Sequence, residues 1–186
     1  MWSPWDEPGF EHLRLTKDDD QILADGLILN VGKGGPFRLQ YMIYCDVNWG
    51  VREVAVRLLD SGAQKIKWST DGNGHWRDDS GDHSLSLMGC FGVDLSATPF
   101  TNTLAIRQLG LKPDESAEVV VAYIAVPQME VARSCQRYTC LELNYDGGLY
   151  RYEDKGLFKG FTADLLVDPV GLVLDYPKLF KRILNH

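Results

Sequence analysis

The feature of this sequence that most restricts its fold is a short-range alternation of apolar and polar residues, cut at close intervals by turn signals. Phe37, Leu39, Tyr41, Ile43 and Cys45 share one face of a period-two stretch, while Arg38, Gln40, Met42 and Tyr44 share the other. Val54, Val56 and Leu58 repeat the pattern against Ala55 and Arg57. Turns are marked by Asp25-Gly26, Gly34-Gly35-Pro36, Asp60-Ser61-Gly62, Asp71-Gly72-Asn73-Gly74, Asp146-Gly147-Gly148 and Asp168-Pro169. Signals this closely spaced favour hairpins over crossovers, so the expected product is a single curled antiparallel sheet. The 186 residues suit one domain spanning 1–186, large enough to bury a core without a metal or disulfide staple.

Two segments break the pattern. At about residues 98–109 the spacing predicts an α-helix, with Thr98 as N-cap, Pro99 at the first helical position and Gly110 just past the end. Phe100, Leu104 and Leu111 fall on one side of it, and Ala105, Ile106 and Leu109 on another. Two apolar stripes imply that protein surrounds the helix, which a sheet rolled around it would satisfy while hiding its own edges. From Pro177 a short basic helix is expected, with Leu179, Phe180, Ile183 and Leu184 as its apolar side.

Charge and motifs exclude much. The net charge of -7 disfavours nucleic acid and anionic membrane surfaces, since counterion release needs clustered cations. No apolar run approaches the roughly 20 residues that span a bilayer, Val119–Val126 being interrupted by Tyr123 and closed by Pro127. The first residues lack a basic region followed by an apolar one, so a cytoplasmic location is expected. Cys45, Cys90, Cys135 and Cys140 contain no C-x-x-C pair, and the odd 135/140 separation puts those two on opposite strand faces. Reduced, mostly buried thiols are expected. Phosphate-loop, dinucleotide, zinc-protease and serine-hydrolase signatures are absent. A calcium loop at Asp71, Asn73 and His75 fails because Trp76 stands where Gly is required. His83, in an acidic stretch, reads as part of a solvated loop. No cofactor, metal site or assembled catalytic constellation is expected.

Two constellations remain as candidate ligand-binding residues. Arg107, with Thr103 beside it on the helix, needs an acceptor. That acceptor is an internal carboxylate such as Asp94, an outlet to solvent, or the phosphate, carboxylate or sugar hydroxyl of a ligand at a cavity mouth. The strand pair carrying Arg137 and Tyr138, then Tyr150 and Tyr152, suits a sugar-stacking wall and equally a half-exposed sheet. Trp49 and Trp76, near turns, are cavity-rim or core residues.

Particular strings go beyond these patterns: Gly9-Phe10-Glu11-His12, Tyr44-Cys45-Asp46-Val47-Asn48-Trp49, Asp71-Gly72-Asn73-Gly74-His75-Trp76, the run from Asp94 to Arg107, Gln136-Arg137-Tyr138-Thr139, Tyr150-Arg151-Tyr152-Glu153 and Asp175-Tyr176-Pro177-Lys178-Leu179-Phe180. With them the chain, from about residue 4 to 184, resembles the glycolipid-binding family of bacterial proteins, a domain of unknown function. The resemblance implies a spiral β-roll around one helix and a likeness to periplasmic lipoprotein carriers, from which the family's label derives. Fold alone does not fix function. The leading expectation is a non-enzymatic protein that binds a glycolipid or similar amphiphile in an apolar cavity beside the helix. The alternatives are a structural or protein-interaction module docking through the C-terminal helix, and a hydrolase using Asp94 or His83. Oligomeric state is not set by the sequence.

Overall fold

The computed structural model describes residues 1–32, 34–60 and 64–184. In chain order its first strands are β1 (Trp2–Pro4), β2 (Phe10–Lys17), β3 (Gln21–Gly32), β4 (Gly35–Asp46), β5 (Val51–Leu58), β6 (Lys65–Thr70) and β7 (Trp76–Asp78). After a 3-10 turn at Leu85–Leu87, β8 (Gly92–Leu95) leads into helix α1 (Phe100–Leu109). There follow β9 (Ser116–Ala125), β10 (Glu130–Asn144), β11 (Gly147–Asp154), β12 (Thr162–Val167), β13 (Val173–Tyr176) and β14 (Phe180–Arg182).

All fourteen strands belong to one sheet, ordered β7-β6-β5-β4-β3-β2-β1-β14-β13-β12-β11-β10-β9-β8. Two runs of consecutive strands are thus joined where β1 pairs with β14, Trp2 opposite Arg182 and Pro4 opposite Phe180. The protein is mainly β, a large curled sheet with one α-helix among the described residues. The curl brings the two ends of the sheet together. Trp76 Nε1–H donates to the Cys90 carbonyl at 2.9 Å, and Gly89 N–H donates to the Gly74 carbonyl at 2.8 Å. Gly74 permits this approach: it sits at φ +85°, and a Cβ there would lie 2.9 Å from Gly89 Cα.

Inward alternation is as the apolar pattern requires. Phe37, Leu39, Tyr41, Ile43 and Cys45 are all buried, as are Val54, Val56 and Leu58. Several expectations need correction. The sheet is not wholly antiparallel, because β8 and β9 run parallel. The helix between them carries the chain back to the same end, which is how parallel neighbours are connected. Asp25-Gly26 is not a turn but lies inside β3, Gly26 facing Tyr41 on β4. A Cβ at residue 26 would overlap Cε1 and Cζ of that ring, so the glycine makes room for a cross-strand aromatic. The C-terminal helix is absent. Lys178 adopts φ +66° in a tight turn closed by Leu179 N–H to Tyr176 O at 3.0 Å, and β14 follows. The backbone there satisfies its polar groups by bridging β13 and β1, which a helix could not do. The turn expected at Asp60-Ser61-Gly62 lies, from residue 61, outside the described residues.

The core has two parts, and α1 contributes to both. Phe100 and Leu104 pack with the side chains of β2 to β5. Ala105 and Ile106 pack with Val119, Val121, Tyr138, Tyr150 and Tyr152. Leu111, read from helical spacing as a neighbour of Phe100, belongs instead to the second part. The chain has already left the helix at Gly110, which is left-handed at φ 57° and bonds back to Ile106 O.

Candidate functional site

The first turn of α1 faces the inward side chains of β8, β10, β11, β13 and β14, and the polar residues among them form two hydrogen-bonded groups, one around Asp94 and one around Asp154. Thr101 Oγ1–H and Gln136 Nε2–H donate to the two oxygens of Asp94, at 2.8 and 2.6 Å. Tyr138 Oη–H donates to Asn102 Oδ1 at 2.9 Å. Tyr152 Oη–H donates to Asp154 Oδ2 at 3.2 Å, while Asp154 Oδ1 accepts the backbone N–H groups of Gly156 and Phe158. Every donor to these carboxylates is neutral, and among the described residues neither enters an ion pair. Burial therefore pushes the Asp94 carboxyl above its ordinary range, against the Thr101 and Gln136 bonds, and the Asp154 charge adds to the rise. Burial likewise raises the Tyr138, Tyr152 and Tyr176 phenols, so each remains a neutral hydrogen-bond donor.

Aromatic rings line the opening above these groups. Tyr138 meets Tyr152 edge-on at 5.5 Å, Tyr152 meets Phe161 at 6.0 Å, and Tyr176 meets Phe180 at 6.4 Å. Tyr123 and Phe158 form a second edge-to-face pair at 5.5 Å. All of these rings except Tyr138, together with Asp94, Asn102 and Asp154, bound a cleft of about 310 Å³. It offers flat apolar rings, carboxylate lone pairs and phenolic donors within one concavity, a combination suited to a polyhydroxylated ring with C–H faces and O–H edges.

Glu11 is a buried charge that sequence reasoning missed. Only 3% exposed, it accepts Tyr41 Oη–H at 2.5 Å and Thr98 Oγ1–H at 2.7 Å on Oε1. Its Oε2 has no partner among the described residues. Burial lifts its carboxyl to about 7 in spite of those two bonds. The available signal was parity, since residue 11 shares its strand face with Leu13 and Leu15. Asp154 was legible in the same way, two residues beyond inward Tyr152.

Of the residues singled out from the sequence, Asp94 and Tyr152 line this cleft, while Tyr138 is buried against Tyr152 and does not border it. The others are placed elsewhere. Arg107 is exposed in the last turn of α1, its Cζ 5.6 Å from the centre of the Trp49 ring. There it borders a separate cleft of about 450 Å³ with Tyr150 and Gly171. Asp94 is not its partner, because Asp94 precedes the helix and a 10-residue helix is about 15 Å long. Thr103 is fully buried, its Oγ1 without a partner among the described residues. Arg137 pairs with Glu118 at 2.6 Å between exposed side chains. Trp49 and Trp76 are buried, the latter at the closure of the curl. Cys45, Cys90 and Cys140 are buried and Cys135 is half-buried, all four as free thiols.

A family model described as "Putative glycolipid-binding" matches residues 1–182. Among solved structures, the crystal structure of a DUF1089 family protein from Pseudomonas aeruginosa is similar, with 36% identity and a TM-score of 0.84. The likeness covers 96% of this chain and 95% of that one. No curated protein matches. No helix among the described residues is long and apolar enough to cross a membrane.

Proposed function

The chain belongs to this glycolipid-binding family, and from that premise we propose that it is a non-enzymatic binding protein whose aromatic and carboxylate-lined cleft takes the sugar of a glycolipid. The observation that carries the reading is the meeting of Tyr152, Phe161, Tyr176 and Phe180 with the oxygens of Asp94 and Asp154 in one cleft. Aromatic faces supply apolar contact at low cost in side-chain entropy, and ionised or neutral carboxyls accept hydrogen bonds from sugar hydroxyls. The carboxylates are already committed to Thr101, Gln136, Tyr152 and two backbone amides. That commitment favours a fixed recognition surface over a proton shuttle.

The test is calorimetric titration with an alkyl glucoside below its micellar concentration, alongside native mass spectrometry of the purified protein for retained glycolipid. Phe161, part-exposed at the rim, is the safest residue to remove. Phe161→Ala should weaken glucoside binding about tenfold, the loss of roughly 1.4 kcal/mol of aromatic contact. Absence of any glucoside binding at millimolar concentration, with no lipid retained on purification, refutes the proposal.

A hydrolase is the second reading, because a raised Asp94 beside the charge of Asp154 resembles an acid and base pair. Turnover of a chromogenic glycoside that disappears in Asp94→Asn would favour it. The interaction-module reading loses its stated contact, since β14 stands in place of the C-terminal helix.

A further inference from the structure

A second concavity, of about 670 Å³, opens where the β1–β14 junction is thinnest. β2 pairs with β1 through the single match of Glu11 with Trp2. Residues 12–15 of β2 therefore have β3 on one side and no strand on the other among the described residues. Across that gap lie the loop after β12 and the start of β13. The facing side chains are Leu13 and Leu15 from one bank and Val170, Leu172 and Leu174 from the other. Leu13, Leu15 and Leu172 also pack on the first part of the core, so this wall of the slot is continuous with it. Its volume is within the roughly 300–1,000 Å³ of small-molecule sites.

Its charges are not those of the protein at large. The chain carries a net -7, yet the slot is bordered by two guanidinium groups, Arg14 and Arg182, against one carboxylate, Asp168. Arg182 is part-buried and spends Nη1 on Asp168 at 2.6 Å. Its Cζ lies 5.5 Å from the Trp2 ring centre, which holds the fork in place. Its Nε is buried and has no acceptor among the described residues. Arg14 is exposed and in no ion pair among them. Hydrocarbon walls beside a fixed guanidinium with an unused donor fit an apolar chain ending in an anionic group.

The slot also adjoins the aromatic cleft. Phe180 of the cleft and Arg182 of the slot are two residues apart on β14, and they share a face, about 7 Å apart along the strand. We infer that the slot binds the hydrocarbon chain of an anionic amphiphile, with Arg182 on its phosphate or carboxylate, so that the glycolipid held here carries its negative charge between sugar and chain. The inference rests on the glycolipid reading for the sugar end alone; the slot is testable without it.

The probes are dodecyl phosphate, dodecyl glucoside and dodecyltrimethylammonium, each titrated calorimetrically below its micellar concentration. Dodecyl phosphate should bind at least tenfold more tightly than the ammonium amphiphile, and Arg182→Gln should abolish that preference. Val170→Trp, at an exposed position that fills the slot, should weaken dodecyl phosphate at least tenfold. Should Arg182→Gln fail to fold, Arg14→Glu at the exposed rim decides: the preference must narrow at least threefold. Equal binding of phosphate and ammonium, or a preference that survives these charge substitutions, overturns the inference. Loss of glucoside binding in Phe161→Ala with dodecyl phosphate binding intact leaves both readings standing. Absence of glucoside binding in the native protein, with dodecyl phosphate still bound, defeats the sugar reading alone.

Discussion

Glu11 gives a test in which the fold itself reports the ionisation of one side chain. Its carboxyl is lifted from a reference of 4.5 to about 7 by burial. A raised acid is held in its protonated form by the native state, so between those pH values the folded chain binds a proton that the unfolded chain has released. Stability contributed by this group is therefore fully present below pH 4.5 and falls as pH rises toward 7. With 1.36 kcal/mol per unit, the loss is roughly 3 kcal/mol; the bonds from Tyr41 and Thr98 to Oε1, and more weakly the charge of the N-terminal ammonium, oppose the rise without cancelling it. For a chain of this size that is a fall in Tm on the order of 6–12 °C.

Other groups titrate in the same range, so the measurement is a difference. Glu11→Gln retains the shape and an acceptor oxygen for Tyr41 and Thr98 but cannot ionise. Thermal or urea unfolding of both proteins at pH 5, 6, 7 and 8 should show near-equal stabilities at pH 5. By pH 8 the variant should be more stable by roughly 2–3 kcal/mol. A difference that stays constant across the range, or that moves against the variant as pH rises, would show that Glu11 titrates normally and refute the burial argument.

Two further substitutions probe the packing that positions the site. Gly26→Ala puts a methyl group into the Tyr41 ring, so it should cost about 1–3 kcal/mol as overpacking, read as a lower urea midpoint at unchanged slope; an unaltered midpoint would show that the ring has room to move. Tyr138→Phe removes the donor to Asn102 and Gln136 and leaves buried acceptors unmatched, at about 1–3 kcal/mol. Its Tm should drop accordingly while the far-ultraviolet dichroism stays native, and a Tm within 1 °C or so of wild type would mean that water replaces the phenol without loss.

What the sequence reveals here is set by how local the deciding interaction is. The inward faces of β4 and β5 follow from parity within each strand, and they appear where parity puts them. Gly26 misleads because the reason for it, Tyr41, lies on another strand. Residues 177–184 satisfy helical spacing, but their conformation is decided by β1, at the opposite end of the chain, which needs a partner. The Tyr-rich hairpin was visible as a candidate wall, and of its residues Tyr152 borders one cleft with Asp94, while Tyr138 is buried against Tyr152. That Arg107 does not join them also has a local cause. It sits in the last turn of α1, and Asp94 sits before the first, so helix length alone separates them.

The carboxyls around the first turn of α1 have a structural task that constrains any ligand role. Thr98 Oγ1 accepts the N–H of Phe100 at 3.0 Å and donates to Glu11, tying the helix start to β2. Asp94 ties the same turn to β10 through Thr101 and Gln136. Replacing Asp94 by a residue that cannot accept these bonds should therefore lower stability before it lowers affinity, because an unmatched donor in this interior is costly. Phe161 anchors nothing of this kind and is part-exposed, so its loss should register in affinity with little effect on folding. The contrast separates a scaffold from a recognition surface within one cleft. On the proposed reading, a ligand would contact the aromatic faces and the carboxyl lone pairs left over, on a helix end fixed before the ligand arrives.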